Sequence, residues 1–300
     1  MANKWIPEFI RPWLRVKIHW LLAKRKLPTA ALKYIPYHYG DSVFHIPGKK
    51  CNLEHSDSGN EIDTCDKGYA VPPTSLRSGY SDDSQVFLDS GENDVKRMLE
   101  LVEDSGFKID DDSSILEVGA SSGRMLRHFI KQAESCEVWG TDISAEHVLW
   151  AKEHLTPPLN FVTTTTIPHL PFEDNYFSFV FCGSVFTHID DMADAWFLEI
   201  KRVLKPSGRF YFTIHDENTM KLLDTDESDS WLATTMKANP IYVKAKDNLG
   251  MLSVGRDNMS QVFYGIDYIR KTLNSMKFKI VSITEGAYGY QTGIVVEKVE

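Results

Sequence analysis

Between about Asn93 and Ile214 the chain alternates short apolar runs with amphipathic stretches, and this alternation constrains the fold more than any other feature. The apolar runs are typical of buried strands and lie at residues 115–118, 136–140, 159–162, 177–181 and 208–214. Strands that are separated by helices form a parallel sheet with helices on both faces. The pattern therefore predicts an α/β fold with a doubly wound, mostly parallel sheet.

The end of the chain departs from this alternation. A helix is predicted from Ile266 to Met276, and two strands at 278–284 and 292–299 flank a glycine-containing turn, which predicts a C-terminal antiparallel hairpin. Residues 216–264 are too long for a simple connection and are interpreted as an inserted cap over one end of the sheet. We therefore expect residues 93–300 to form one domain that contains this cap.

Residues 1–92 are predicted to be an N-terminal extension, in which an amphipathic helix precedes an irregular polar segment. From Trp13 onward, Leu14, Ile18, Leu21 and Leu22 fall on one helical stripe, and lysines and arginines are interleaved with it. Two interpretations stay open. The stripe packs on the body of the protein or on a second subunit of a homo-oligomer, or it lies on an anionic membrane as a peripheral contact.

The composition disfavours several functions. The formal net charge of -9 makes nucleic acid a poor partner, because such a surface repels a phosphate backbone. The spacing of Cys51 and Cys65 relative to His45 and His55 fits no common zinc pattern, so no metal site is predicted. No apolar run reaches the roughly 18 residues of a membrane-spanning helix. Without a recognisable signal peptide or disulfide framework, the expected location is cytoplasmic.

A turn rich in glycine follows the first predicted strand, where residues 117–123 read E-V-G-A-S-S-G. Ligands of open parallel sheets bind beyond the carboxyl ends of the strands, and glycine lets the backbone approach them closely. The glycine spacing fits neither the dinucleotide fingerprint nor the P-loop, which disfavours a nicotinamide oxidoreductase. Asp142 ends the next strand, where an acid can accept hydrogen bonds from both hydroxyls of a ribose. The alternative is that Asp142 only caps the helix that begins near Ser144.

With these features the chain resembles the class I S-adenosylmethionine-dependent methyltransferases, which have a Rossmann-like fold. The resemblance covers about residues 93–214 and includes L-P-F-E-D-N-Y-F at 170–177, S-V-F-T-H-I at 184–189 and L-E-I-K-R-V-L-K-P-S-G-R at 198–209. It implies that S-adenosylmethionine is the cofactor. The cofactor-binding residues that it implies are Glu117, Gly119, Ala120, Gly123, Asp142, Ile143, Thr166, Ile167, Gly183 and Ser184.

Two positions depart from the pattern of this family. The family often has Gly-Asp-Ala after the third strand, where the aspartate accepts a hydrogen bond from the adenine amine, but residues 163–166 of this chain are four threonines. Ser178 stands where the family often has aspartate. The predicted fold is unaffected, whereas the group that recognises the adenine amine stays unassigned.

The chemical class of the methyl acceptor is predicted from segments that follow the strands at the carboxyl end of the sheet. Family members that methylate DNA amines carry N/D-P-P-Y after the fourth strand, whereas residues 182–186 read C-G-S-V-F, which disfavours a nucleobase amine. The aromatic-rich flanks and G-Y-Q-T at 289–292 resemble methyltransferases encoded with sugar and glycan assembly enzymes. They favour a small-molecule acceptor, with O-methylation of a sugar or glycan-related metabolite. A lipid, quinone or natural-product methyltransferase and a non-catalytic cofactor-binding protein stay open as alternatives.

An alcohol acceptor needs a group that removes its proton, and histidine is suited to this at neutral pH. His188 follows the fourth predicted strand and His215 follows the fifth, so both lie at the binding end of the sheet. We predict that one of them is the catalytic base, with His215 ahead of His188. The alternative is that either ring only holds a loop backbone. Arg77 and Tyr80 are further candidates for lining the acceptor pocket.

Overall fold

The structure is a computed structural model, and it describes residues 68–299 except 190, 226–229, 247 and 256–259. The predicted amphipathic helix of the N-terminal extension and the cysteines and histidines at 45–65 lie outside the described residues. In the part of the chain that is described, no helix is both long and apolar enough to cross a membrane.

A seven-stranded sheet organises the described residues, in the order β3-β2-β1-β4-β5-β9-β8. The pairs among β1 to β5 are parallel, whereas β9 is antiparallel to both β5 and β8. The predicted doubly wound sheet with a C-terminal antiparallel hairpin is therefore confirmed. The strands of the sheet are β1 (Ser114–Val118), β2 (Glu137–Asp142), β3 (Asn160–Thr163), β4 (Phe177–Cys182), β5 (Leu204–Ile214), β8 (Phe278–Tyr288) and β9 (Gln291–Lys298).

Helices connect the strands and cover both faces of the sheet. In the described residues the helices of the main body are α1 (Ser84–Asp104), α2 (Ala145–Leu155), α3 (Ala193–Val203) and α7 (Ile266–Ser275). α1 and α2 pack on the face that carries Phe179, Phe181 and Tyr211. α3 and α7 pack on the opposite face, which carries Val180 and Phe210. Successive residues of β4 thus bury their side chains on opposite faces, as a strand that is covered on both sides requires.

Two helical elements differ from the sequence-based expectation. α1 begins at Ser84, well before Asn93, because Asp83 caps it by accepting from the Val86 amide at 2.9 Å and because Phe87 is buried. Between β1 and β2 the sequence predicts an α-helix, but the chain forms 3₁₀ turns at Leu126–Phe129 and Gln132–Glu134. Their hydrogen bonds close over three residues, as in the bond from the His128 amide to the Met125 carbonyl.

Two of the segments that carry the family resemblance, residues 170–177 and 198–209, are joined by hydrogen bonds. Glu199 of α3 accepts a hydrogen bond from the Leu170 amide at 2.6 Å. Arg202, one turn later, donates to the carbonyls of Phe172 at 2.8 Å and Leu170 at 3.0 Å. The two side chains also pair with each other at 2.7 Å. α3 is thereby fixed to the segment that leads into β4.

The insertion after β5 forms a small unit of its own at the carboxyl end of the sheet. Its described elements are α4 (Glu217–Thr225), α5 (Trp231–Lys237), α6 (Pro240–Ala245), β6 (Met251–Val254) and β7 (Gln261–Tyr264). β6 and β7 are antiparallel, and Tyr242 and Phe263 lie in the apolar core of the unit. The unit joins the sheet where the Tyr264 amide donates to the His215 carbonyl at 2.8 Å. We call residues 216–264 the cap.

Candidate active site

The glycine turn after β1 lies tightly against the neighbouring strands. The amides of Gly119 and Ala120 both donate to the Thr141 carbonyl of β2, at 2.7 and 2.9 Å. Gly119 has a φ of +80°, and a Cβ there would lie 2.4 Å from a methyl group of Val185. Gly123 has a φ of +83°, and its Cβ would meet Leu155 at 2.6 Å. Both positions therefore require glycine, which leaves the backbone of this turn open to a ligand.

Asp142 holds the turn and lies at the end of β2. One carboxylate oxygen accepts from the Ser121 amide and the other accepts from the Ser144 amide, each at 2.7 Å. The carboxylate therefore bonds to the amide of the N-cap residue of α2, so Asp142 has a local role at the start of this helix. It does not exhaust the group, because each carboxylate oxygen has a second lone pair for a further donor. The side chain is only partly buried, so both oxygens have capacity for ribose hydroxyls.

Glu117 is a buried carboxyl group that lines a cleft beside the glycine turn. Its residue is 3% exposed, and among the described residues its Oε2 has no hydrogen-bond partner. Burial raises the pKa of Glu117 to about 8, against the opposing effect of the Arg124 charge and with a smaller contribution from Asp142. A cationic ligand would favour the ionised form and provide the missing partner. The ammonium and sulfonium charges of S-adenosylmethionine fit this requirement.

The raised pKa of Glu117 predicts a pH-dependent stability in the absence of ligand. The unfolded carboxyl group ionises near 4.5, whereas the folded one keeps its proton up to about 8. Folded protein therefore binds more protons between these values, and the free energy of unfolding should fall as pH rises through this window. Glu117→Gln should flatten that part of the profile in urea titrations at pH 5 and pH 8. Glu103→Gln, at an exposed site on α1, is the control, and equal slopes in wild type and Glu117→Gln would contradict the assignment.

A segment before α1 covers the glycine turn. Ser122 donates to the Leu76 carbonyl at 2.6 Å, and the hydroxyls of Ser78 and Ser121 are 2.8 Å apart. Arg77 lines the cleft, but its guanidinium donates to backbone carbonyls such as that of Asp82, at 2.6 Å. Residues 74–80 therefore close one side of the cleft.

A buried arginine joins this covering segment to the sheet. Arg124 is 5% exposed, pairs with Asp94 of α1 at 2.7 Å and donates to the Tyr288 hydroxyl. Its guanidinium carbon lies 3.9 Å from the centre of the Tyr80 ring, and the hydroxyls of Tyr80 and Tyr288 bond to each other. Sequence reasoning did not identify Asp94 or Tyr288, because the network joins residues that are far apart in the chain.

The structure brings some of the predicted cofactor residues around one cleft and leaves others at its margin. Glu117, Gly119, Ala120 and Gly183 line the cleft. Asp142 lies beside it and is bonded to Ser121, which also lines it. The residues at its margin are Ile143, which is half-buried after β2, and Thr166 and Ile167, which are exposed after β3. Their contact with the cofactor stays a prediction.

The two candidate histidines have different surroundings. His215 is 1% exposed, and neither ring nitrogen has a hydrogen-bond partner among the described residues. Its ring lies 4.9 Å from Phe263 of the cap and 5.5 Å from Tyr290, between centroids. Burial, with a smaller effect of His188, lowers the pKa of His215 to about 3, so the ring is neutral at physiological pH.

His188 is tied to the cap backbone. Its Nδ1 donates to the Ser260 carbonyl at 2.8 Å, and the Ser260 hydroxyl donates to the His188 carbonyl at 3.0 Å. Burial lowers the pKa of His188 below its ordinary value, although the bond to Ser260 partly opposes this. The reciprocal pair is an anchor between the segment after β4 and the cap. The sequence had left such a backbone-holding role open for this residue.

Comparisons with known proteins match part of the chain to a methyltransferase domain. Residues 116–212 match the family model described as a methyltransferase domain. A putative S-adenosylmethionine-dependent methyltransferase from Listeria monocytogenes is similar at 20% identity over 68% of this chain and 98% of its own, with a TM-score of 0.49. A methyltransferase from Aquifex aeolicus is similar at 17% identity over 76% and 99% of the two chains, also with a TM-score of 0.49. No curated protein sequence matches the chain significantly.

The strand order, the glycine turn and the family match define the class of the protein. Residues 116–212 form a methyltransferase domain, and the strand order of the sheet is that of a Rossmann-like α/β fold. The protein is an enzyme of this class, and S-adenosylmethionine is its cofactor.

Proposed function

We propose that the enzyme transfers the methyl group to a hydroxyl oxygen of a small-molecule acceptor, a sugar or glycan-related metabolite. The observation that carries this proposal is the neutral, buried imidazole of His215, whose ring nitrogens have no partner among the described residues. An unpartnered buried polar group is costly, so its retention suggests a role with a ligand. A neutral imidazole can accept a hydrogen bond from an alcohol hydroxyl. The imidazole of His215 lies where the end of β5 meets the cap.

The proposed residues divide the work between binding and proton transfer. The turn at 117–123, Asp142 and Gly183 would hold the cofactor, which supplies a methyl group on a good leaving group. Alignment of the acceptor oxygen with that methyl group and exclusion of water can contribute roughly 7–11 kcal/mol. As the acceptor oxygen formed its bond to the methyl carbon and the carbon–sulfur bond broke, with its electron pair going to sulfur, the proton on that oxygen would become strongly acidic. Even a weak base with the low pKa of His215 can then accept it at a ring nitrogen.

The surroundings of His215 also favour a sugar acceptor. Phe263 and Tyr290 present aromatic rings to the same imidazole, and aromatic rings pack well against the C–H faces of a sugar ring. Tyr290 is 43% exposed and could extend this surface toward an incoming acceptor. The acidic net charge of -9 disfavours a polyanionic acceptor.

A specific observation favours the second candidate, a lipid, quinone or natural-product acceptor. The cap exposes large apolar side chains, including Trp231 at 60% and Ile241 at 63%. A surface of this kind suits an apolar acceptor or the membrane that contains one. A panel of sugars, nucleotide sugars, quinones and phenols, assayed for release of S-adenosylhomocysteine, separates the two. Turnover only with apolar acceptors would refute the sugar proposal, and cofactor binding without any turnover would favour a non-catalytic binding protein.

We further propose that residues 216–264 are a cap that moves. His215 is almost fully buried beneath the Phe263 ring, so an acceptor can reach it only if the cap opens. Hydrogen exchange of the cap should slow by at least a few-fold when S-adenosylhomocysteine and an acceptor are bound together. α3, on the sheet face opposite the cofactor turn, is the internal control. If the cap exchanges at the same rate with and without the two ligands, the proposal is contradicted.

A further inference from the structure

A closed ring of three hydrogen bonds lies at the carboxyl ends of β4, β5 and the start of β9. The Ser184 amide donates to the Thr213 hydroxyl at 2.7 Å, and the Thr213 hydroxyl donates to the Gln291 Oε1 at 2.6 Å. The Gln291 Nε2 then donates to the Ser184 hydroxyl at 2.8 Å, which closes the ring. Thr213 is fully buried and Gln291 is 4% exposed, so water does not compete with these bonds.

The ring fixes a backbone that is otherwise unfavourable. Ser184 has a φ of 58°, a left-handed conformation that a residue with a side chain seldom adopts. Gly183 precedes it and lines the cofactor cleft, with no room for a Cβ because the Tyr288 ring would lie 2.9 Å away. A strained residue of this kind persists where its surroundings hold it in place. Here Gln291 donates to the Ser184 hydroxyl, which also lies 3.0 Å from the Thr187 hydroxyl, and Thr213 accepts from the Ser184 amide.

The turn between β8 and β9, which directly precedes Gln291, also contacts the cap. The Thr219 hydroxyl of α4 donates to the Tyr290 carbonyl at 2.8 Å, one residue before Gln291. Tyr288, on the other side of the turn, bonds to Arg124 in the wall of the cofactor cleft. The turn between β8 and β9 therefore lies between the cofactor loop and the cap.

We propose that Gln291 is a positioning residue, which acts through Ser184 to hold the loop after β4 in the shape that binds the cofactor. This role rests on the cofactor cleft described above. Gln291 itself is bonded to Thr213 and Ser184, so its effect on the cofactor is indirect. The matched control is the next residue, Thr292, which is equally buried but whose hydroxyl has no partner among the described residues.

The test measures affinity for S-adenosylhomocysteine by calorimetry in wild type, Gln291→Met, Thr213→Val, Thr213→Ser and Thr292→Val. Gln291→Met and Thr213→Val each leave buried polar groups unpaired, and each should weaken binding by about 5- to 100-fold. Thr213→Ser keeps the hydroxyl and should restore near-wild-type affinity. Thr292→Val should bind like wild type. The double variant Gln291→Met/Thr213→Val should bind S-adenosylhomocysteine nearly as well as the single variant with the lower affinity, because either change opens the same ring.

Hydrogen exchange supplies a readout that a purely structural role would not move. The peptide spanning residues 181–188 should exchange faster in Gln291→Met, while the peptide spanning α3 stays unchanged. Unchanged affinity in Gln291→Met, or additive losses in the double variant, would overturn the proposal. If Gln291→Met does not fold, the comparison of Thr213→Val with Thr213→Ser decides alone, and equal affinities would refute it. Failure of wild type to bind S-adenosylhomocysteine is a separate result that would refute the cofactor cleft itself.

Discussion

Replacing His215 with alanine is expected to lower the rate of methyl transfer by about 10²- to 10⁴-fold, the range for loss of a catalytic base. The affinity for S-adenosylmethionine should stay within a few-fold of wild type, because the ring packs against Phe263 of the cap and Tyr290 and does not line the cofactor cleft. The measurement is single-turnover methyl transfer, with calorimetry on the same preparations. His215→Gln, which keeps a polar side chain without a basic nitrogen, should lose a similar factor.

The pH profile separates this role from that of an ordinary histidine. Burial lowers the pKa of His215 to about 3, so its ring is neutral and able to accept a proton throughout the neutral range. The rate of wild type should therefore show no loss attributable to this ring between pH 8 and pH 5. His188→Ala is the comparison variant, and it should mainly lower thermal stability by removing the bond to Ser260. Wild-type rates in His215→Ala across this range would contradict the assignment of the base.

Replacing Asp142 with asparagine should weaken the binding of S-adenosylmethionine by more than tenfold and up to about 100-fold. The charged acceptor for the ribose hydroxyls is lost, and the new amide hydrogens face the amide of Ser121 or that of Ser144, which already donate to this carboxylate. Calorimetry with S-adenosylmethionine and with S-adenosylhomocysteine measures the loss. It should be similar for both, because the ribose is common to them.

The control for Asp142 is an exposed carboxylate at the other end of the sheet. Asp174 precedes β4 and pairs with Arg202 at 2.8 Å, with 71% of its side chain exposed. Asp174→Asn should leave cofactor affinity unchanged. Wild-type affinity in Asp142→Asn would show that this carboxylate only holds the turn and caps the helix after β2.

Much of the fold and the cofactor turn could be predicted from the sequence because both depend on local patterns. Apolar runs such as 177–181 form a strand buried on both faces, and a glycine at 119 or 123 reports a backbone that only glycine tolerates. The start of α1 was not apparent, since the apolar run at 86–88 is only three residues long and has polar residues on both sides. The sequence also did not reveal 3₁₀ turns after Gly123, where the apolar spacing is the same as in an α-helix.

The rest of the site depends on contacts between distant residues. The network of Arg124, Asp94 and Tyr288 joins the glycine turn, α1 and β8, and no spacing in the sequence connects them. The ring at Gln291 is equally non-local, although the segment that contains it, 289–292, was noted for its resemblance. The opposite environments of His188 and His215 were also hidden, because both follow strands at the same end of the sheet.

The most direct test of the proposed function uses S-adenosylmethionine with a ¹³C-labelled methyl group, incubated with the purified enzyme and a panel of sugars and glycan precursors. The account predicts a new ¹³C methyl ether signal in the NMR spectrum of one acceptor, with an equal amount of S-adenosylhomocysteine. The same reaction with His215→Ala should give little of either product. Label that appears only on nitrogen or carbon, or no labelled product with any acceptor although the cofactor binds, would contradict the proposal that this enzyme methylates a hydroxyl oxygen.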